Sequence, residues 1–174
     1  MSEINVRALG EEDWQQYRDI RLTALQNVPE AFVSTRAQEE AFDEQAWRER
    51  MRRSRRLVAE RDGSPLGVVS LGLSEADLAH TVELFGLWVA PEARGTGVAW
   101  KLVQAGADQA LADGHSHLGY WVGTDNGRAV AFASSFGFRP TDTRRPMRVA
   151  SEADGTVEMA MVLPLGVDPS TIFR

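Results

Sequence analysis

The chain has 174 residues, enough for one domain with a sizeable core, and its 43% hydrophobic and 25% charged residues are the profile of a globular protein. A net charge of −6 argues against a nucleic-acid partner, and the absence of cysteine excludes disulfides, thiolate metal sites and a cysteine acyl-enzyme while fitting a reducing, cytoplasmic location. The opening Met1-Ser-Glu-Ile-Asn5 lacks the basic and apolar regions of a signal peptide, and no apolar run approaches the ~20 residues of a membrane span, so no membrane partner is expected.

Ile4, Val6 and Ala8 alternate with polar neighbours and predict a first strand. Glu11 to Val28 predicts a helix, with Trp14, Tyr17, Arg21, Ala24, Leu25 and Val28 at helical spacing and Pro29 ending it. From there to about Ala41 the pattern fits either a loop or a short helix. Asp43 predicts the N-cap of a helix running to about Ser54. Arg56 to Arg61 and Leu66 to Leu73 predict two strands joined by the turn Asp62-Gly-Ser-Pro65, and Thr81 to Val89 predicts a third. Ala99, Leu102, Val103, Gly106, Ala107, Ala110 and Leu111 follow the i, i+3, i+4, i+7 pattern of an amphipathic helix that begins near Val98 and ends at Asp113-Gly114. A strand over His117 to Val122 follows, then a helix over Asn126 to Phe136 with Ala129, Phe132 and Phe136 as its apolar side and Gly137 as its cap. Two late strands are predicted near Phe138–Thr141 and Val157–Leu163, separated by a polar segment with Gly155. With no repeat, low-complexity tract or linker, residues 1–174 read as a single mixed α/β domain.

The most informative stretch is Leu84 to Ala99: an apolar strand stops at Pro91, a loop carries Arg94, Gly95, Thr96 and Gly97, and a helix begins at Val98. Two glycines let the backbone approach a ligand closely, and the first helical turn offers unpaired N–H groups and a partial positive charge. The loop therefore predicts an anionic, phosphate-bearing ligand. It lacks the Gly-Lys-Ser/Thr of a P-loop, and its mid-chain Gly95-x-Gly97 followed by Trp100 does not spell a dinucleotide fingerprint.

The residues from Arg94 to Ala99 spell R-x-x-G-x-A, which resembles motif A of the GNAT superfamily, the acyl-CoA-dependent N-acyltransferases. Asn126, Ala129, Phe132, Gly137 and Phe138 match that superfamily's motif B, roughly N-x-x-A-x-x-h-Y-x-x-x-G-F with h apolar. The N-terminal Val6-Arg7, Arg21-Leu22-x-Ala24-Leu25 and Pro29-Glu-Ala-Phe32, and the late Glu158-Met-x-Met161, also resemble the family, so the likeness spans nearly the whole chain. The resemblance implies an α/β fold with a mixed, mostly antiparallel central sheet flanked by helices. It implies acetyl-CoA as co-substrate, no metal, a homodimer as a common assembly that the tail from Gly166 to Arg174 could serve, and a strand that splays from its neighbour, often at a bulge, to free backbone groups on Leu87, Trp88 and Val89 for the pantetheine arm. Arg94, Gly95, Thr96, Gly97, Val98 and Ala99 would hold the pyrophosphate. Asn126, with Ala129 and Phe132 on the same helix, would border the cofactor; the Asn126 amide could bond the pantetheine or cap its helix.

Transfer to nitrogen requires a neutral amine, and with an ammonium pKa near ~10.4 only about one molecule in a few thousand is neutral at pH 7, so a general base is expected. Glu83 matches the strand position where several GNAT enzymes keep a catalytic glutamate, and simple alternation would put Glu83, Phe85, Leu87 and Val89 on one face. A backbone N–H near Val89 is the implied oxyanion donor. The sequence departs from the family at Ala133, where many members carry a tyrosine that protonates the leaving thiolate, and at Trp100, which could cover the adenine side or simply pack. The basic run Trp47 to Arg56 reads as a solvated helix face. His115 and His117 have no third ligand at a recognisable spacing. The expected function is N-acetyl transfer to a small-molecule amine; a non-catalytic acyl-CoA sensor, which Ala133 favours, and a protein acetyltransferase are the alternatives.

Overall fold

The computed structural model describes residues 3–73, 81–146 and 157–166. Their strands form one seven-stranded sheet in the order β1-β2-β3-β4-β5-β7-β6. The strands are β1 Asn5–Leu9, β2 Arg55–Arg61, β3 Ser64–Leu73, β4 Thr81–Val89, β5 His117–Gly123, β6 Arg139–Pro146 and β7 Val157–Pro164. Neighbours pair antiparallel except β4 and β5, which run parallel. A parallel pair needs a crossover connection, and helix α4, Val98–Ala112, supplies it.

The remaining helices are α1 Trp14–Asn27, α2 Arg36–Glu40, α3 Glu44–Arg53 and α5 Gly127–Phe136. Helix α4 covers one face of the sheet with Val98, Leu102, Val103, Gly106, Ala107 and Ala110 buried. Full burial of a Leu or Val side chain stabilises by roughly 1.5–3 kcal/mol, so this stripe is a major share of the core. The helix comes closest at Gly106, where a Cβ would stand 2.9 Å from Leu84 Cδ1. Helix α1 covers the opposite face and buries Tyr17, Ile20, Leu22, Ala24 and Leu25.

Local signals account for most boundaries. Asp43 caps α3 by accepting from the Ala46 N–H at 2.9 Å, and the predicted helix to Ser54 ends in the last-turn arginines Arg50, Arg52 and Arg53. Pro29 follows α1 and opens a single 3-10 turn over Pro29–Ala31. The stretch that fits either loop or helix holds the short α2, capped by a reciprocal pair: Thr35 Oγ1 accepts from the Gln38 N–H at 3.1 Å and Gln38 Oε1 from the Thr35 N–H at 2.9 Å. Strand β6 is longer than predicted. It is a polar edge strand whose register shifts between Pro140 and Arg144, so it shows no clean apolar alternation to read. The segment with Gly155 and the tail from residue 167 lie outside the described residues.

The basic run divides in a way its sequence conceals. Arg48, Arg52 and Arg53 line the outer side of α3 and its end, whereas Trp47 and Met51 are buried and Arg56, in β2, is only 3% exposed. The solvated-face reading holds for the first group and fails for Arg56, because strand alternation turns that residue inward.

Candidate active site

The parallel pairing of β4 and β5 runs from Thr81↔His117 to Leu84↔Tyr120 and stops there. Strand β5 continues to Gly123 against β7, while β4 continues to Val89 against β3, so the two strands part beyond Leu84. The cause is visible in the β3–β4 ladder. Leu71↔Leu84 and Ser70↔Phe85 are in register, but Val68 pairs with Trp88, so Gly86 and Leu87 together oppose Val69. That is a β-bulge, and its first residue, Gly86, takes a left-handed φ of +63°, the conformation of the glycine-type (G1) bulge.

The bulge also corrects the face assignment made by simple alternation. One extra residue shifts the phase, so Glu83 and Phe85 share the α1 face with Trp88, while Val89 joins Leu84 on the α4 face. Trp88 is buried and its indole N–H donates to Asn27 Oδ1 of α1 at 3.4 Å.

The gap between the strands opens into a cleft of ≈ 380 Å³ lined by Arg21, Phe32, Phe85, Leu87, Tyr120 and Trp121 together with Arg145 and Glu158. Glu83 is half-buried and does not itself line the cleft; it meets the cleft through Trp121, whose indole N–H donates to Glu83 Oε1 at 3.0 Å. Gly119, the β5 partner of Glu83, leaves the space its side chain uses: a Cβ there would meet Thr81 Cγ2 at 3.3 Å and Glu83 Cγ at 3.8 Å. Arg145 stacks on Trp121, 4.0 Å from the ring centroid, and its Nε donates to Glu158 Oε1 at 2.6 Å.

Behind the cleft lies a buried ionic cluster. Glu39, 1% exposed, accepts from Arg21 Nε and Nη2 at 3.0 Å each and from Arg50 Nη1 at 2.8 Å. Burial works against this carboxylate, but the Arg21 and Arg50 hydrogen bonds outweigh it and hold the carboxyl below its ordinary value. Arg56 is held by Ser70 Oγ at 2.7 Å and the Arg50 carbonyl at 3.1 Å. Burial, reinforced by the charges of Arg50 and Arg21, pushes its pKa down, and its Nε has no partner among the described residues.

At its far end β4 runs into the glycine loop. Gly95 and Gly97 have φ of +80° and +88°, and a Cβ at either would meet nothing within 4 Å, so bare backbone faces open space. The Gly97 carbonyl accepts from the Lys101 N–H at 3.1 Å, which leaves the amides of Val98, Ala99 and Trp100 without intrahelical acceptors at the positive end of α4. Val98 itself is buried against the sheet, so only its backbone is offered. Thr96 turns its hydroxyl back to the Ala93 carbonyl. Arg94 clamps the loop: Nε donates to the Val89 carbonyl at 3.1 Å and Nη2 to Asn27 Oδ1 at 3.2 Å. Asn27 thus ties β4, the loop and α1 together, a role no sequence motif marks.

Asn126 is the N-cap of α5, its Oδ1 accepting from the Ala129 N–H at 3.1 Å. Ala129 and Phe132 are half-buried on that helix, and Trp100 joins it to the first turn of α4, packing 6.2 Å from Phe132 and 4.6 Å from Phe136 between ring centroids. Ala133 is 0% exposed, filling a closed core position rather than leaving a hole on the cleft side. Tyr120 is the phenol that does line the cleft; it packs on Phe138 and burial pushes its pKa up. The structure therefore places Leu87 in the cleft, Glu83 against the cleft-lining Trp121, and residues 94–99 in the loop and helix start that follow β4. The partners Trp121, Arg145, Glu158, Arg21 and Asn27 emerge only from long-range pairing.

The fold has counterparts. The family model for the acetyltransferase (GNAT) family matches residues 14–138. An uncharacterized N-acetyltransferase of Archaeoglobus fulgidus is 34% identical over 93 residues, covering 52% of this chain and 60% of that protein. One of Methanocaldococcus jannaschii is 28% identical over 85 residues, covering 47% and 38%. The chain thus spans less than two thirds of either curated relative. A solved Salmonella typhimurium acetyltransferase, with its cofactor acetyl-CoA, superposes at a TM-score of 0.70 with 22% identity, covering 95% of this chain and 96% of that one, a likeness of fold. With the family match spanning most of its length, and the strand parting and glycine loop in place, the chain belongs to the GNAT acetyltransferase family.

Proposed function

We propose that residues 1–174 act as one N-acetyltransferase domain that moves an acetyl group from acetyl-CoA to the primary amine of a small molecule. The observation that carries this reading is the parting of β4 from β5 beyond Leu84 and Tyr120, which leaves one edge of Phe85 to Val89 without a ladder partner among the described residues, beside a cleft. Unpaired backbone at that edge suits the amides of a pantetheine arm. The open-faced glycines and the free amides of Val98, Ala99 and Trp100 suit a pyrophosphate, and the Asn126, Ala129 and Phe132 side of α5 would flank it.

Glu83 takes the amine proton in this scheme, directly or through water, as the C–N bond forms and the C–S bond breaks. Trp121 fixes the Glu83 side chain for that task. A thiolate leaving group lies only about 2 kcal/mol uphill of its thiol at pH 7, so chemistry without a tyrosine at 133 is feasible. A second reading, a non-catalytic acyl-CoA sensor, draws on the closed core position of Ala133. The test is CoA binding by calorimetry beside a thiol-release screen of amines with acetyl-CoA. Binding with turnover supports the enzyme, and binding without turnover across a broad panel supports the sensor. Glu83→Gln should lower turnover by roughly 10²–10⁴-fold; unchanged turnover would remove Glu83 from the mechanism. Failure to bind CoA would overturn both readings.

A further inference from the structure

Four aromatic rings line the cleft: Phe32, Phe85 and Trp121 each carry a guanidinium on a face, while Tyr120 packs on Phe138. Arg21 lies 4.6 Å from the Phe32 centroid, Arg56 5.5 Å from that of Phe85, and Arg145 4.0 Å from that of Trp121. An aromatic box that receives a bulky cation needs ring faces free to point their negative quadrupole at it. Here three of the four rings already have one face spent on a fixed cation.

The charges agree. Among the described residues, the wall of the cleft and the cluster behind it hold Arg21, Arg50, Arg56 and Arg145 against Glu39, Glu158 and Glu83. Glu83 is committed to the amine end. What remains is four guanidiniums against two carboxylates, in a chain whose overall charge is −6. Arg56 sharpens the imbalance. It is 3% exposed, has no carboxylate partner among the described residues, and its Nε makes no hydrogen bond. A buried cation without a counter-charge is costly, and an anion placed nearby in low dielectric relieves that cost. Arg21 and Arg145 each spend Nε on an internal carboxylate, while the Nη1 atoms of both make no hydrogen bond to the described residues beside the cleft. A guanidinium edge of this kind matches a carboxylate.

We propose that the acceptor is an amine that also carries a carboxylate, an amino-acid-like molecule, whose carboxylate faces Arg21 and Arg145 while its amine meets Glu83. This rests on the proposed function, in which the pantetheine arm takes the Phe85–Val89 edge and the acceptor amine gives its proton to Glu83. It disfavours polyamines and lysine-rich tails, which the arginine-backed rings would repel.

The test compares three matched pairs: L-leucine with isoamylamine, L-phenylalanine with phenethylamine, and L-methionine with 3-(methylthio)propylamine. Each is assayed by thiol release with acetyl-CoA, and separately by calorimetric binding to the CoA-loaded protein. A charge-assisted contact predicts that at least one amino acid exceeds its decarboxylated twin by roughly 10- to 100-fold in kcat/KM or affinity. Arg145→Gln, at a partly exposed pair, and Arg21→Gln should each shrink that ratio chiefly through KM. Binding of amino acids over amines without turnover would support the proposal while defeating catalysis. Turnover of bare amines equal to or above their carboxylated twins, a ratio untouched in both variants, or no binding of any carboxylated member would overturn it.

Discussion

Gly86 makes the bulge that parts the strands, so its substitution tests the origin of the site. An alanine Cβ at 86 would find only Ser70 Oγ, at 3.8 Å, an ordinary contact, so no steric term arises. The cost is conformational: φ is +63°, and an L-residue held in left-handed backbone loses about 1–2 kcal/mol. The strand cannot escape by straightening. Removing the bulge would shift the register by one, turning the buried Trp88 off Asn27 and toward α4 while Val89 moved to the α1 face. Gly86→Ala should therefore keep the bulge and bear the strain, losing about 1–2 kcal/mol in urea unfolding, or about 2–8 °C in Tm for a chain of this size. Gly86→Asn should lose less, because asparagine tolerates left-handed backbone better. Unchanged midpoints in both variants, or asparagine no better than alanine, would refute a left-handed residue 86 as the source of the parting.

Gly67→Ala should be more damaging for a steric reason: its Cβ would stand 2.7 Å from the Trp88 carbonyl oxygen, 3.0 Å from Leu102 Cδ1 and 3.2 Å from Val98 Cγ1. Backbone cannot give way as a side-chain end can, so a loss of at least about 1–3 kcal/mol is expected in chemical denaturation. Glu39→Gln leaves the half-buried Arg21 and Arg50 without their buried counter-charge and should cost up to about 3–5 kcal/mol at neutral pH. Because the Glu39 carboxyl is held below its ordinary 4.5, its stabilisation is complete above that pH and is lost as pH falls through the lowered value. Acid denaturation of the variant, followed by circular dichroism, should accordingly be flatter below pH 4.5 than that of the parent. Asn126→Ala removes the α5 cap and should cost about 1 kcal/mol in a thermal melt, while Asn126→Asp should retain most of it.

Much of this protein was legible from local pattern. The period of α4 and the continuous apolar runs of β2 and β3 follow directly from which residues must be buried. The caps at Asp43 and Asn126 and the two loop glycines are equally local, because each meets a need of the backbone within a few residues. The signal for α2 was present as Thr35-x-x-Gln38 and is weak only because five residues bury little. Strand β6 was half-hidden, since an edge strand of Thr, Asp and Arg has no inner face to show.

What sequence by itself determined was the family, the glycine loop ahead of α4 and the place of Glu83 on the strand that feeds it. Tertiary structure alone decided which face each β4 residue takes past Gly86, where β4 leaves β5, and that Arg21, Arg56 and Arg145 converge on the rings around one cleft. The physical reason is range. A cap or a helical stripe is an interaction among neighbours in the chain, whereas a bulge register and a charge imbalance are sums over strands tens of residues apart, which only the folded sheet brings within reach.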